Sequence, residues 1–418
     1  MGKFRLISKS GDALALALRI ADEGNEVDFW VKSAKAKPSY KGILKQVKDW
    51  RYGLTKDTII IFDMVGLGSI AEQLKKSGYK VYGAGKMNDA LELNRDFAMK
   101  LARIVGIKTP KYKVFKSFNK AIDFVSKSEK TWAFKPLNNA SPAYTYVSTD
   151  KDDMVDMLAY FKTIWTGKVD FILQEKIEGV EISTEMFYVD GAPVPGSLNS
   201  TLELKRFMND DKGPQTGCSG SVVRFWKQSD PKIYRLSLKK MGSFLKRFKY
   251  NAPLDVNCII SEEDKLPYFL EFSSRFGYNA IYALAEGLNM KIGDFVSQMA
   301  SGDIPELKPS FDWLGAIRVS VPPYPGEKGV EAGKPIRGIE SLDHIWLLDV
   351  AHKNNQLVIA GVDGVICEVT GQAKDLDRLG GIIYGRIDDI SIPDAQFRTD
   401  IIRQTKKRAQ QLKDWKYL

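Results

Sequence analysis

Over roughly the first ninety residues, segments of strand character alternate with segments of helical character: KFRLIS, DALALALRIADEG and EVDFWV, then TIIIFD, SIAEQLKKSG and KVYGAG. Strands separated by helices become parallel neighbours, because a parallel pair needs a long crossover connection. The order predicts an open α/β domain over residues 1–106. A helical pattern from Asp89 to about Val105 closes it, with Gly106 as C-terminal stop before Pro110.

The pattern then changes. YKVFKS, TWAFKP and DFILQEKI read as strands, whereas KAIDFVSK and DMVDMLAYFKTIW read as helices. The irregular order predicts an α+β region with antiparallel pairs over residues 107–309. In PLDVNCIISEEDKLPYFLEF two apolar runs flank a turn, and counting outward from Glu263 sets Asp255 opposite Glu271. Alternation along the second strand puts Glu271, Ser273 and Arg275 on one side, away from Leu270, Phe272 and Phe276. Opposed carboxylates repel unless a cation lies between them. With Ser273 and Asn257 beside them they form an all-oxygen set suited to Mg²⁺, which commonly holds substrate phosphates. Arg275 would neutralise a phosphate oxygen; the alternative is an ordinary ion pair of Arg275 with Glu271 at a sheet edge. Beyond the Pro-rich GDIPELKPSFDW (302–313), the runs WLGAIRVSVPP, HIWLLDVA and QLVIAGVDGVICEV predict a β-rich domain over residues 310–418, ended by the basic helix FRTDIIRQTKKRAQQLKDW.

Composition narrows the chemistry. Three cysteines, Cys218, Cys258 and Cys367, are too few and too scattered for a disulfide framework or a zinc site. Two histidines, His344 and His352, lie in no nucleophile or metal motif. The chain has no apolar run long enough to cross a membrane, and MGKFRLISKSGD lacks the pattern of a signal peptide, so a cytoplasmic protein is expected. A net charge of +10 points to an anionic partner. The densest basic run, residues 237–251, carries Leu238, Met241, Phe244, Leu245 and Phe248 at helical spacing; its lysines form a solvated helix face in preference to a nucleic-acid groove.

Lys135 ends the strand WAFKP, a polar hinge follows the strand in FILQEKIEGVEIS, and KRFMNDDKGPQTGCSGS sets a basic pair before a Gly-rich run. Together with EFSSRFG, their order and spacing resemble the ATP-grasp superfamily and, within it, the phosphoribosylamine-glycine ligases (glycinamide ribonucleotide synthetases). SVPPYPGEKGVEAGKPIRGIE, LVIAGVDGVICEVTGQAKDLDRL and FRTDIIRQ extend the likeness to roughly residues 80–405.

The resemblance implies an α/β N-terminal domain, an ATP-grasp fold whose ATP-binding subdomain covers roughly residues 110–190, and a β-rich C-terminal domain. It implies a ligase of purine biosynthesis that uses ATP with Mg²⁺ or Mn²⁺ to turn the carboxylate of glycine, or of another amino acid, into an acylphosphate that an amine attacks. In that reading Gln174, Glu175, Lys176 and Ile177 hold adenine, Glu181 holds the ribose, and Lys135 and Arg95 reach the phosphates. Glu271, with Ser273 and Asp255, holds the metal. Lys205, Arg206 and Arg275 assist transfer, and the Gly-rich run with Gly213, Gly217, Cys218, Ser219 and Gly220 binds the carboxylate substrate through backbone amides. Partners are small molecules and no membrane is expected; the +10 charge leaves a nucleic-acid-binding or nucleic-acid-modifying protein as the less favoured alternative, and the chain acts as a monomer or weak oligomer.

Several positions depart from the family pattern. Ser273 replaces an Asn beside the metal Glu, Arg95 replaces a lysine, Leu204 replaces a His before the basic pair, and PLNNASPAYTYV has no glycine in the loop that closes over the triphosphate. The Gly-rich turn near the N-terminus is SKSGDALALA, which keeps Gly11 and adds Asp12, and the motif after the third strand has become FDMVGLG. These changes imply an altered acceptor pocket. The alternatives to the family reaction are a different amine acceptor, a modified nucleotide included, or an inactive nucleotide-binding homologue.

Overall fold

The computed structural model describes residues 1–137, 144–168, 170–326 and 329–418. Half of the loop expected to close over a triphosphate, residues 138–143, lies outside the described residues.

The opening alternation folds as expected. β1 (Lys3–Ser8), α1 (Leu14–Asp22), β2 (Glu26–Val31), β3 (Lys45–Gln46), β4 (Ile59–Phe62), α2 (Gly68–Lys76) and β5 (Lys80–Tyr82) build a five-stranded sheet in the order β3-β2-β1-β4-β5. All its pairings are parallel. Period-two alternation sends Ile7 to the core with Leu67, Ala71 and Leu74, while Phe4 and Leu6 join Leu14 and Ile20 of α1.

The single helix expected from Asp89 to Val105 is two, α3 (Lys86–Leu93) and α4 (Arg95–Ile104). Asn94 breaks it, because its side chain accepts the backbone N–H of Phe97 at 3.1 Å and starts a new helix. Gly106 follows α4 at φ +82°. Next come β6 (Tyr112–Phe115), α5 (Phe118–Ser126), β7 (Trp132–Pro136), β8 (Tyr146–Val147), α6 (Lys151–Ile164) and β9 (Phe171–Glu175). Their strands form an antiparallel sheet, order β6-β9-β7-β8, under a core of Phe118, Phe134, Leu158, Phe161 and Phe171.

The largest sheet has nine strands. It takes β10 (Gly179–Val189), β11 (Ala192–Pro193), β12 (Asn199–Met208) and β13 (Lys212–Phe225). After the short helices α7 (Lys232–Leu236) and α8 (Gly242–Arg247) it takes β14 (Pro253–Ser261) and β15 (Pro267–Ser273). Helices α9 (Ala280–Gly287) and α10 (Ile292–Ser301) precede β16 (Trp313–Ser320), β17 (Ile345–Leu347), the β18–β19 hairpin (Val350–Lys353 and Gln356–Ile359), β20 (Val365–Ala373), α11 (Leu376–Asp388) and α12 (Ile401–Asp414). The order β15-β14-β10-β12-β13-β16-β20-β17 runs straight across residues 302–313, since β13 pairs with β16 through Gly220 and Ile317. The Pro-rich stretch therefore separates segments of sequence, not sheets. In the basic run, Leu238, Met241 and Leu245 are buried beneath outward lysines, although Phe248 stays 45% exposed. Among the described residues no helix is long and apolar enough to cross a membrane.

Two local expectations are corrected. Glu271 faces Asn257, not Asp255, which pairs with Ser273. A bulge at Leu270 shifts the register, so that Phe269 and Phe272, three residues apart, both enter one core. The Gly-rich run 213–220 is not a loop but part of β13, with Gly220 opposite Leu204. The register breaks between the pairs Leu204–Gly220 and Arg206–Gln215, so residues 216–219 bulge from the ladder opposite Lys205. At Gly220 a Cβ would lie 2.7 Å from Ile401 Cδ1, so packing of α12 accounts for that glycine.

Candidate active site

One face of the large sheet is polar where a core would be apolar. On β12, Leu202 and Leu204 enter the hydrophobic core, which turns Glu203 and Lys205 the other way. The Lys205 ammonium lies 2.6 Å from Glu181 Oε1, 3.4 Å from Glu203 Oε2 and 3.7 Å from Glu271 Oε1. Asn257 Nδ2 donates to the same Glu181 oxygen at 2.7 Å. Burial alone would lower the Lys205 pKa; the three carboxylates overcome it and raise the pKa well above the ordinary lysine value. The Glu271 side chain stays 45% exposed. Burial there works to raise its pKa, but Lys205, Arg95 and Lys135 prevail and bring it down to about 2.

The facing lobe supplies more positive charge. Lys135, on β7, is buried and donates to Gln174 Oε1 of β9 at 3.1 Å. Burial first, then the Arg95 guanidinium at the start of α4, lower its pKa to about 7 against the pull of Glu271 and Glu181. The structure thus gathers Arg95, Lys135, Lys205 and Glu271 in one electrostatic cluster. Along the hinge, Glu175 is bridged by Lys130 at 2.8 Å and Lys176 by Glu178 at 2.7 Å. The backbone N–H of Glu175 donates to Lys111 O and that of Lys176 to Thr131 O, and Ile177 follows, half-buried.

Arg275 lies past the end of β15. Its Nε donates to Glu92 Oε1 at 3.1 Å, its Nη1 to Phe276 O at 2.9 Å, and its guanidinium stacks 3.9 Å above the Tyr278 ring. Its ion pair is therefore with Glu92 and not with Glu271. Arg206 is not brought to the Lys205 cluster; its Nη1 holds Gly213 O at 2.8 Å across the β12–β13 turn. Of the Gly-rich run, Gly213 sits at that turn with φ +75°, Ser219 Oγ meets Thr216 Oγ1 at 3.2 Å, and the Cys218 thiol donates to Gly220 O at 3.2 Å. Burial raises the Cys218 pKa, so the thiol is inert. Gly217 is exposed and lines a cavity of about 230 Å³ shared with Asp12, Tyr278, Arg318, Tyr324 and Asp363. Glu92 and Glu203 were not foreseen; an acid two residues before a strand lysine was the available signal for Glu203, while Glu92 had none.

Behind Lys205 lies an acid-rich floor. Burial raises Glu185 to about 7 against the Asn199 amide that donates to it at 3.1 Å. Burial, then Glu185 and Glu203, also push Asp255 well above the carboxylate range. Asp255 Oδ1, Asn257 Oδ1 and Asn199 Oδ1 are buried without a hydrogen-bond partner. Among the described residues no three His, Cys, Asp or Glu side chains are arranged to hold a metal ion. A divalent ion arriving with phosphate oxygens requires only one or two protein carboxylates. Glu271, the farthest of the three Lys205 partners and partly exposed, fits that demand, with Ser273 following on the same strand face.

Residues 93–280 match the family model described as phosphoribosylglycinamide synthetase, ATP-grasp (A) domain. The chain is 23% identical to the phosphoribosylamine–glycine ligase of Caldanaerobacter subterraneus subsp. tengcongensis, over 82% of this chain and 84% of that one. It is 24% identical to the chloroplastic phosphoribosylamine–glycine ligase of Arabidopsis thaliana, over 94% of this chain and 73% of that one. The crystal structure of phosphoribosylamine–glycine ligase from Thermotoga maritima superposes with a TM-score of 0.73 at 20% identity, covering 95% of this chain and 99% of that chain. The chain has the ATP-grasp fold.

Proposed function

We propose that this ATP-grasp chain is an ATP-dependent carboxylate–amine ligase acting on small molecules in the cytoplasm, as a monomer or weak oligomer. The observation that carries the reading is the meeting of Lys135 and Arg95 from one side with Lys205 and Glu271 from the other. Phosphoryl transfer depends chiefly on positioning and charge, and this cluster supplies both without a histidine. Adenine lies against the hinge, read by Gln174 and by the backbone of Glu175, Lys176 and Ile177, with Ile177 offering its N–H. Lys205 and Asn257 orient Glu181 through one oxygen and leave the other for the ribose hydroxyls. Lys135 and Arg95 bind the phosphates. Mg²⁺ or Mn²⁺, held by Glu271 with Ser273 or Asn257, would neutralise charge on the β- and γ-phosphates. The buried Asp255 belongs to the floor that positions these ligands.

The γ-phosphate passes to the carboxylate of glycine or another amino acid near Gly217, Ser219 and Gly220. Arg275, fixed by Glu92 and Tyr278, faces the acylphosphate. Attack by a neutral amine forms the amide and releases phosphate. Arg206 and Gly213 keep the β12–β13 turn closed over this end. The family reaction is the synthesis of glycinamide ribonucleotide from phosphoribosylamine, a step of purine biosynthesis. Asp12 at the N-terminal turn favours a second reading, in which the same ATP chemistry serves another amine.

Mg-ATP with glycine and hydroxylamine tests the reading. Hydroxamate together with ADP is expected, because hydroxylamine traps an acylphosphate whatever the natural acceptor is. Absence of both with glycine and with a panel of amino acids would sink the ligase assignment.

A further inference from the structure

The cavity beside Gly217 is where an amine would approach the activated carboxyl, and its walls are unlike those of a phosphate site. Building on the ligase reading, we propose that it admits an amine without a phosphate group but with a second cationic group. That group is held between Asp12 and Asp363, and the carbon skeleton lies against Tyr278, Tyr282 and Tyr324.

Three of the amides at the start of α1 are already committed. Gly11 N donates to Ser8 Oγ at 2.6 Å, Ala13 N to Asp63 Oδ2 at 3.1 Å and Leu14 N to Gly11 O at 3.2 Å. A phosphate at a helix N-terminus is held by such N–H groups, and here the chain itself consumes those three.

The charge balance points the same way. Among the described residues lining the cavity, the ionisable acids and bases are Asp12, Asp349, Asp363 and Arg318, besides the tyrosines. Asp349 is satisfied by the N–H groups of Val362, Asp363 and Gly364. Arg318 gives Nε to Glu368 at 2.8 Å, Nη1 to Tyr324 at 3.0 Å and Nη2 to Asn279 at 2.9 Å. Arg275, just behind, is held by Glu92. Asp12 accepts a hydrogen bond from Ser10 Oγ at 2.5 Å, and Asp363 Oδ1 accepts the Val365 N–H at 2.9 Å. Neither carboxylate has a cationic partner within ion-pair distance among the described residues. Burial raises the Asp12 pKa and Asp363 adds to the rise, against the Ser10 hydroxyl and the charges of Arg275 and Arg318, so a bound cation would favour the Asp12 carboxylate.

Size and shape complete the match. A space of about 230 Å³ suits a small aliphatic body, and Tyr278, Tyr282 and Tyr324 line it. In the reaction one amine nitrogen bonds to the acyl carbon as the bond to the phosphate oxygen breaks. Phosphate leaves with the electron pair, one amine proton passes to water, and the second ammonium stays between the carboxylates.

Calorimetric titration of the full chain, with Mg²⁺ and a non-hydrolysable ATP analogue present, tests this with 1,4-diaminobutane and with ribose 5-phosphate. The diamine is expected to bind at least about tenfold more tightly, and Asp12→Asn and Asp363→Asn are each expected to weaken it by about tenfold. Asp363 is exposed, so that variant retains the fold. Tighter binding of ribose 5-phosphate, no diamine binding, or wild-type diamine affinity in both variants would overturn the assignment. Hydroxamate formation by the wild-type chain reports separately on the ligase reading, whatever the cavity binds.

Discussion

Glu271 carries the smallest-scale prediction. Replacing it with Ala removes the carboxylate proposed for the metal, and a loss of several kcal/mol in transition-state stabilisation lowers turnover by roughly a thousandfold. ADP release measures the loss, and an unchanged circular dichroism spectrum would show that the fold survives. Turnover within a few fold of wild type would remove Glu271 from the mechanism. Lys135 yields a second prediction. Its pKa near 7 means that the free protein holds it partly neutral at pH 7.5, whereas bound phosphates favour the ammonium. ATP binding should therefore take up protons at that pH, seen as a calorimetric enthalpy that varies with the ionisation enthalpy of the buffer. Identical enthalpies in all buffers would contradict it. Lys135, Lys205 and Glu271 were legible in the sequence because each belongs to a short local pattern. Glu92 was not, since it meets Arg275 across a sequence separation of 183 residues.

At the scale of elements, departures from regular geometry aim the side chains. The bulge at Leu270 turns Phe269 and Phe272 into one core and leaves Glu271 beside Asn257, a shift that plain alternation does not anticipate. Asn94 divides one expected helix into two and sets Glu92 and Arg95 on either side of the break. Gly179 opens β10 at φ +155°, and a Cβ there would come within 1.9 Å of Ile260 O. Gly179→Ala should destabilise the protein by roughly 3 kcal/mol through strain and displacement of β14. Urea denaturation measures it, and an unchanged midpoint would show that the strand entry can relax. Glycine was readable at this position; its close approach to a neighbouring backbone was not.

Across the whole molecule, the polar sheet face makes stability depend on pH. Glu185 titrates near 7 in the folded chain and near the ordinary carboxylate value when unfolded. Between those values the folded state keeps a proton that the unfolded state has lost, so this group's contribution falls as pH rises from about 4.5 to 7 and is flat above. Glu271, lowered to about 2, acts oppositely: its contribution is present above the ordinary carboxylate value and is lost as pH falls through 2. Thermal melts of Glu185→Gln should lose part of the decline between pH 5 and 7. Parallel curves for variant and wild type would refute the assignment. The parallel first sheet, the antiparallel middle and the charged motifs follow from the sequence, because periodicity and short motifs are properties of neighbouring residues. Only the tertiary structure decided that β13 and β16 join two segments into one sheet, and that Asp12, Gly217, Tyr278 and Asp363 share a cavity. The reason is physical: those contacts link residues far apart in the sequence, where packing and charge pairing select the partners and no local pattern records the choice.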